Sequence, residues 1–338
     1  MSNELMIKDL IQFTHKQVRA LVWILRSPSI VSNTYTESKS VINCDQAWGE
    51  KLYQDHYDWL FELNQNPSEL ENWLEQLRSF RLGIRYERLI IFFFKYLEKK
   101  GIISEFTHNL PIYDEKKISL GELDMIYYDH ESNKRVHLEL SVKFYLFRPE
   151  EFNYHRFCGP NGQDWLLHKT EHLFSRQLFI SNSVEGKFTL DQHFSEQLST
   201  GLDKKLLIKG ALYHPLGHEL RLNDEENELI NENVLTRWWT RPDYFYQADT
   251  NHIGRWIIID KLDWIVPLYF SYQEENLLTA KEMTIYIKRH FSQSKRSIHL
   301  AYFKLDEESQ LWIEEGRGFI VDKYWPDYKK SGELTYRQ

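Results

Sequence analysis

Apolar positions along the chain recur first with a helical period and later with a period of two. Leu10, Phe13, Val18, Leu21, Val22 and Leu25 predict a helix over residues 4–26, ended by Ser27-Pro28. A polar loop follows at 32–40. Residues 46–63 and 68–78 predict two further helices, with Pro67 between them and Ser68 as the cap of the second. Residues 81–100 predict a long helix with Tyr86, Leu89, Ile90, Phe93 and Leu97 on its apolar face and Gly101 as its stop. Residues 106–113 predict a strand, where Pro111 implies an edge or a bulge.

The stretch from Ser119 to Phe147 changes period. Glu122 and Asp124 share one face of a first strand. A charged segment centred on Ser132-Asn133 carries turn chemistry, and Val136 to Phe144 then alternates without a break. Val136, Leu138, Leu140, Val142 and Phe144 point one way, which predicts Leu138 and Leu140 buried against a helix. His137, Glu139, Ser141 and Lys143 point the other. Pairing the strands brings Asp124 beside Glu139, with Lys143 further along that face.

Beyond the hairpin lie a loop at 148–160 rich in Phe, Tyr, His and Arg, a Gly-Pro-Asn-Gly turn at 159–162, a helix at 164–181 and a strand at 205–213. The order is helix, three strands, helix, strand. The rest is less regular: an acidic stretch at 220–233, a loop or short strand at Trp238-Trp239, a strand at 255–269, a helix at 279–290, and strands at 297–305 and 318–321. These elements predict an α+β chain: an N-terminal helical region (1–79), a core (80–216) and a C-terminal α+β subdomain (217–338).

Two carboxylates on neighbouring strands outline a site for magnesium, a hard cation that takes oxygen ligands and keeps part of its water. A metal there activates water, and a nearby ammonium stabilises the hydroxide. A solvated hairpin face of mixed charge accounts for the same alternation.

Gly-Glu-Leu-Asp at 121–124, then a turn, then an apolar-flanked Glu139 and Lys143, resembles the core of the PD-(D/E)XK nuclease superfamily. The wider chain, with its Gly-Pro-Asn, Asp, Lys and Gln-Leu pattern, is similar to an uncharacterised bacterial family assigned to that superfamily. The resemblance implies a restriction-endonuclease-like α-β-β-β-α-β core. It implies Asp124 and Glu139 as ligands of magnesium or manganese, Lys143 as the catalytic amine, and DNA, ahead of RNA, as the partner. Glu87 on the long helix matches the glutamate that completes such metal sites. Gln177 resembles the glutamine some of these proteins use to orient the site. The family places its lysine two residues after the second acid, where this chain has Ser141. Lys143 is therefore expected to bend back toward Asp124 and Glu139. Glu122, Ser141 and Lys169 are supporting candidates, Lys169 as a phosphate contact or a solubilising side chain.

Composition bounds these readings. The chain has 338 residues, a formal net charge of -8, 42% hydrophobic and 15% aromatic residues. That balance argues against unselective coating of nucleic acid while leaving room for a local basic groove. Basic residues recur near the core, including Lys116, Lys134, Lys143, Lys169 and Lys204, with Tyr145, Phe147, Tyr154 and Phe157 among them as candidate stacking surfaces. Two cysteines, Cys44 and Cys158, fit a reducing compartment. The first residues lack a basic leader, and the apolar run at 89–94 is too short to span a bilayer, so a cytoplasmic protein is expected. Cys158, His168 and His172 lack the spacing of a zinc site. The leading expectation is a divalent-metal-dependent deoxyribonuclease. The alternatives are a degenerate nuclease core that binds nucleic acid or assembles with protein, and an unrelated α+β protein with a chance hairpin.

Overall fold

Arg19 marks the break between a helical turn at residues 9–11 and the helix that follows it. Its guanidinium donates to the carbonyls of Phe13 at 2.6 Å and Thr14 at 3.1 Å. Those residues are thereby held out of the helical ladder, so helix α1 spans Lys16–Arg26 and not the whole of 4–26. The computed structural model describes residues 9–76, 79–151, 155–194, 201–248 and 254–326. Residues 4–8 and 77–78 of the expected helices, and Tyr154, lie outside the described residues.

Helix α2 (Asn33–Ser38) and the short strand β1 (Ile42–Asn43) follow. The single helix expected at 46–63 is two, α3 (Gln46–Asp55) and α4 (Tyr57–Gln65). They meet at His56, whose ring sits edge-on to Phe93 and Tyr96 at 5.7 and 5.4 Å. Helix α5 (Ser68–Glu75) has Pro67 at the N-cap position, and Ser68 is inside the helix and caps nothing. Helix α6 (Leu82–Lys99) matches its apolar pattern: Tyr86, Leu89, Ile90, Phe93 and Leu97 are all buried. Gly101 ends it with φ +70°, a left-handed conformation that glycine adopts without a steric penalty.

The sheet then forms from β2 (Ile103–Tyr113), β3 (Ser119–Asp129), β4 (Lys134–Phe147) and, after the short β5 (Phe157–Cys158), β6 (Asp203–Pro215). Between β5 and β6 lie α7 (Leu166–His172), a π turn at Leu173–Gln177, a 3-10 turn at Ile180–Asn182, and α8 (Val184–His193). The single helix expected at 164–181 is thus broken, and α8 was not anticipated.

After β6 come α9 (Asp224–Leu229), β7 (Thr236–Thr240), β8 (Arg255–Ile258), β9 (Tyr269–Ser271), α10 (Ala280–Gln293), β10 (Ile298–Asp306) and β11 (Leu311–Ile320). The strand expected across 255–269 is only β8, with β9 starting at its far end. The reason is where the backbone carbonyls go. Arg317 donates to those of Asp263 and Trp264, at 3.1 and 2.7 Å, and to that of Val266, while Arg19 donates to that of Pro267 at 2.7 Å. Those carbonyls are turned toward guanidinium groups, and Pro267 has no N–H to give a ladder.

The strand order is β2-β3-β4-β6-β7-β11-β10-β8. β2, β3 and β4 run antiparallel, β6 is parallel to β4, and β7 is parallel to both β6 and β11. The sheet therefore continues across residue 217. Pro111 sits on β2, at the outer edge, where a missing N–H costs no ladder bond. Helix α6 packs on β4, and Leu138 and Leu140 are buried in the same core as Leu89, Ile90 and Phe93. Gly210 permits the close parallel contact of β4 and β6: a Cβ there would lie 1.7 Å from the Lys143 carbonyl oxygen. No helix among the described residues is long and apolar enough to cross a membrane.

Candidate functional site

The site begins where the β3–β4 ladder stops. Met125 pairs with Leu138, and one step further the strands part. Two N–H groups are freed at that split, and side chains take them. Asp124 Oδ2 accepts the Leu140 backbone N–H at 2.8 Å. The Glu139 carboxylate accepts the Asp124 backbone N–H, and the two carboxyl groups stand close enough to act on each other's charge. Asp124 and Glu139 are therefore in contact, on one side of the sheet, as the alternation predicts.

Their environments differ. Glu139 is sunk to 1% exposure, whereas Asp124 keeps a partly exposed side. Burial pushes the Asp124 carboxyl up, Glu139 adds to this, and the Leu140 N–H opposes it. Burial likewise pushes Glu139 up, against the hydrogen bonds from Asp124. Glu87 on α6 lies in the field of this pair. Burial first, then Asp124, Glu122 and Glu139, push it up to about 7. Glu122 is exposed at the rim, where its carboxylate accepts from the Asn109 amide at 2.9 Å.

A buried polar chain runs from Glu139 away from the split. His137 Nε2 lies 2.8 Å from Glu139 Oε1, and His137 Nδ1 lies 3.4 Å from Ser181 Oγ. The Lys204 ammonium donates to that Ser181 hydroxyl. Lys204 stands on β6 directly across from His137, so both project from the same face. Burial, then Lys204, push His137 down to about 3, which keeps the ring neutral. Burial also lowers Lys204 to about 8, while Glu139 works to keep it charged. The break in the helix after α7 serves this chain. It brings the Leu178 backbone to a hydrogen bond with His137 and sets Ser181 between His137 and Lys204. Widened π turns of this kind often occur at functional sites.

Lys143 departs from expectation. Its ammonium does not bend back to Asp124 and Glu139; it lies 3.9 Å from Asp164 Oδ2. Lys169 approaches the same carboxylate at 4.0 Å, and the Tyr145 hydroxyl donates to it at 3.3 Å. The physical reason is distance along the strand. Four residues at about 3.3 Å each separate Lys143 from Glu139 by roughly 13 Å, and Asp164 is the nearer anion. Ser141 lies partly exposed between them. Gln177 is exposed, and its amide oxygen is 3.4 Å from His172 Nδ1, not at the carboxylate pair. In the sequence Lys204 is only one of several basic residues near the core, and nothing there marks Ser181, or a role for His137 beyond its place two residues before Glu139 on the same face.

The donor set suits a hard divalent cation. Two touching carboxyl groups, both pushed up, are stabilised by a positive charge between them, and magnesium needs only one or two carboxylates beside water and phosphate. Among the described residues no group of three or more His, Cys, Asp or Glu side chains is placed to hold an ion. Asp124 and Glu139 are the pair that could hold such an ion, and Glu87 lies in their field.

Fold and site together define a mixed α+β protein with a buried acid pair at a strand split. The profile of a family described as a domain of unknown function, DUF1853, matches residues 19–321, and the chain belongs to that family. No curated protein and no solved structure matches the chain.

Proposed function

We propose that the protein is a divalent-metal-dependent nuclease that hydrolyses phosphodiester bonds of DNA. The observation that carries this reading is the contact of Asp124 with Glu139 at the β3–β4 split. The order α6, β2, β3, β4, α7, β6, with β6 parallel to β4, supports a restriction-endonuclease-like core. Magnesium or manganese, when bound, would supply a Lewis acid and an activated water. Asp124, partly exposed, would be the carboxylate open to such an ion. Glu139 is held in place by the Asp124 N–H and by His137. Lys204, tied through Ser181 and His137 to Glu139, takes the cationic role that Lys143 is turned away from. Lys143 and Lys169 together outweigh Asp164 by one charge, which suits a backbone phosphate.

A second reading has its own support. Glu139 is almost wholly enclosed and already engaged by His137, as in a core that has exchanged chemistry for nucleic-acid binding or assembly. One experiment separates the two. Wild type and Glu139→Gln are incubated with duplex, single-stranded and branched DNA, and with RNA, in magnesium and then manganese. The nuclease reading expects metal-dependent cleavage by wild type alone. Cleavage by neither, with no heat of metal binding in calorimetry, leaves the binding module.

A further inference from the structure

A second candidate site lies on the outer side of α6, apart from the acid pair. Helices α4, α5 and α6 enclose a cleft of about 380 Å³, within the roughly 300–1,000 Å³ typical of small-molecule sites. Its walls carry three kinds of chemistry. Trp59 and Trp73 are flat aromatic surfaces, and Trp59 is held rigid by a stack on Tyr96 with centroids 3.8 Å apart. Asn72 offers an exposed side-chain amide with donor and acceptor. Lys95 and Lys99, one helical turn apart on α6, bring two exposed ammonium groups.

The aromatic walls are anchored from behind. The Arg88 guanidinium lies 3.2 Å from the Trp73 ring centroid and donates to the Trp73 carbonyl at 2.8 Å. The Trp73 indole N–H returns a bond to the Arg88 carbonyl at 3.0 Å. The Lys95 ammonium is 5.2 Å from the same ring, a weak contact at an exposed site and readily exchanged for an anion. Among the described residues neither Lys95 nor Lys99 is in an ion pair within 4 Å.

We infer that this cleft binds a nucleotide, with the base against the tryptophans and the phosphate at Lys95 and Lys99. Flat rings stack on indoles irrespective of base identity, an amide reads a base edge, and two ammoniums facing one carboxylate, Glu69, leave a net positive wall. That sign of charge disfavours a quaternary ammonium, which the aromatic walls alone would suit. The nucleotide is either free or part of a single strand. The inference stands apart from the nuclease reading, because the acid pair takes no part in it.

The test uses the whole chain in EDTA, where cleavage cannot interfere. Adenosine and uridine monophosphates are titrated by calorimetry, and a fluorescein-labelled eight-residue oligodeoxyadenylate by anisotropy. Saturable binding of either probe is expected. A mononucleotide that binds alone identifies a free ligand; an oligonucleotide that binds alone identifies a strand. Lys95→Glu with Lys99→Glu should weaken binding more than tenfold, as should Trp59→Ala. Both lysines are exposed, so the charge-reversed variant is expected to fold, and its melting temperature checks this. Absence of saturation at millimolar concentration, binding of choline in place of both probes, or equal binding by the folded charge-reversed variant overturns the inference.

Discussion

Asp124 on β3 takes the backbone N–H of Leu140 on β4 at 2.8 Å, so one carboxylate both closes the strand split and faces Glu139. The two tasks separate by substitution. Asp124→Asn retains an acceptor for Leu140 but loses the charge. It should weaken magnesium and manganese binding at least tenfold in calorimetry while leaving stability nearly unchanged. Asp124→Ala should lose the metal equally and also cost about 1–3 kcal/mol in urea unfolding, because the Leu140 N–H loses its partner.

The acid cluster gives the protein without metal a pH signature. Glu87 is raised to about 7 by burial and by Asp124, Glu122 and Glu139, and Glu139 is raised as well. A carboxyl whose folded pKa exceeds its unfolded value binds more protons when folded, so stability falls as pH rises from about 4.5 to 7. Thermal melts in EDTA should show that decline. Excess magnesium should reverse it at pH 7 and above, and Glu87→Gln should flatten it. A melting temperature independent of pH across that window, or unmoved by magnesium, would falsify the shared-charge account.

Lys204 and Lys143 make opposite predictions. Lys204→Met should lower cleavage by a factor on the order of 100 or more, in the range of losing a positioned charge-stabilising group, while metal affinity changes little. Lys143→Ala should retain metal affinity and lose less than tenfold, mostly in KM, because its ammonium faces Asp164. Cleavage rates under saturating substrate distinguish the two.

Lys209 is fully buried, and its ammonium donates to the Ser27 carbonyl at 2.6 Å. Burial lowers it to about 8, so the folded state binds fewer protons than the unfolded state between about 8 and 10.5. Its charge costs stability below pH 8, and that cost fades as pH rises through the window. Lys209→Met should raise stability at pH 7 by about 1–3 kcal/mol, less than the full shift implies because the Ser27 bond is lost. It should also remove this contribution to the alkaline slope in denaturant unfolding.

Arg317 should tolerate no such exchange. It is bonded to Glu314 at 2.5 and 2.7 Å and to the carbonyls of Asp263, Trp264 and Val266. Arg317→Leu strips the buried Glu314 of its paired cation, leaving it only the Leu268 N–H at 2.9 Å, and takes the guanidinium donor from the Trp264 and Val266 carbonyls; it should cost about 3–5 kcal/mol in urea unfolding.

What could be read from the sequence was local. The alternation from Val136 to Phe144 placed Leu138 and Leu140 in the core, and the spacing of Asp124 and Glu139 about a short turn brought them together. Pro111 marked an edge. What could not be read was set by contacts between distant segments. The parallel register of β4 with β6 puts Lys204 across from His137, and no pattern near either residue reports it. Lys143 was misread because Asp164 comes to it from the far side of a loop. Arg19 and Arg317 reshaped α1 and the 255–269 segment from elsewhere in the chain, and a helical or alternating period is blind to such long-range claims on carbonyls.

The continuous sheet has a practical meaning for anyone shortening this protein. All the acid residues and Lys204 precede residue 210, which invites a compact fragment ending near 216. Such a fragment would strip β7 from Leu212 to Pro215 of β6 and remove the Trp239 indole from the Phe147 carbonyl. A bared strand recruits other chains. The strands from β7 onward thus act as a splint for the sheet that carries the acid pair, although none of its carboxylates lies on them.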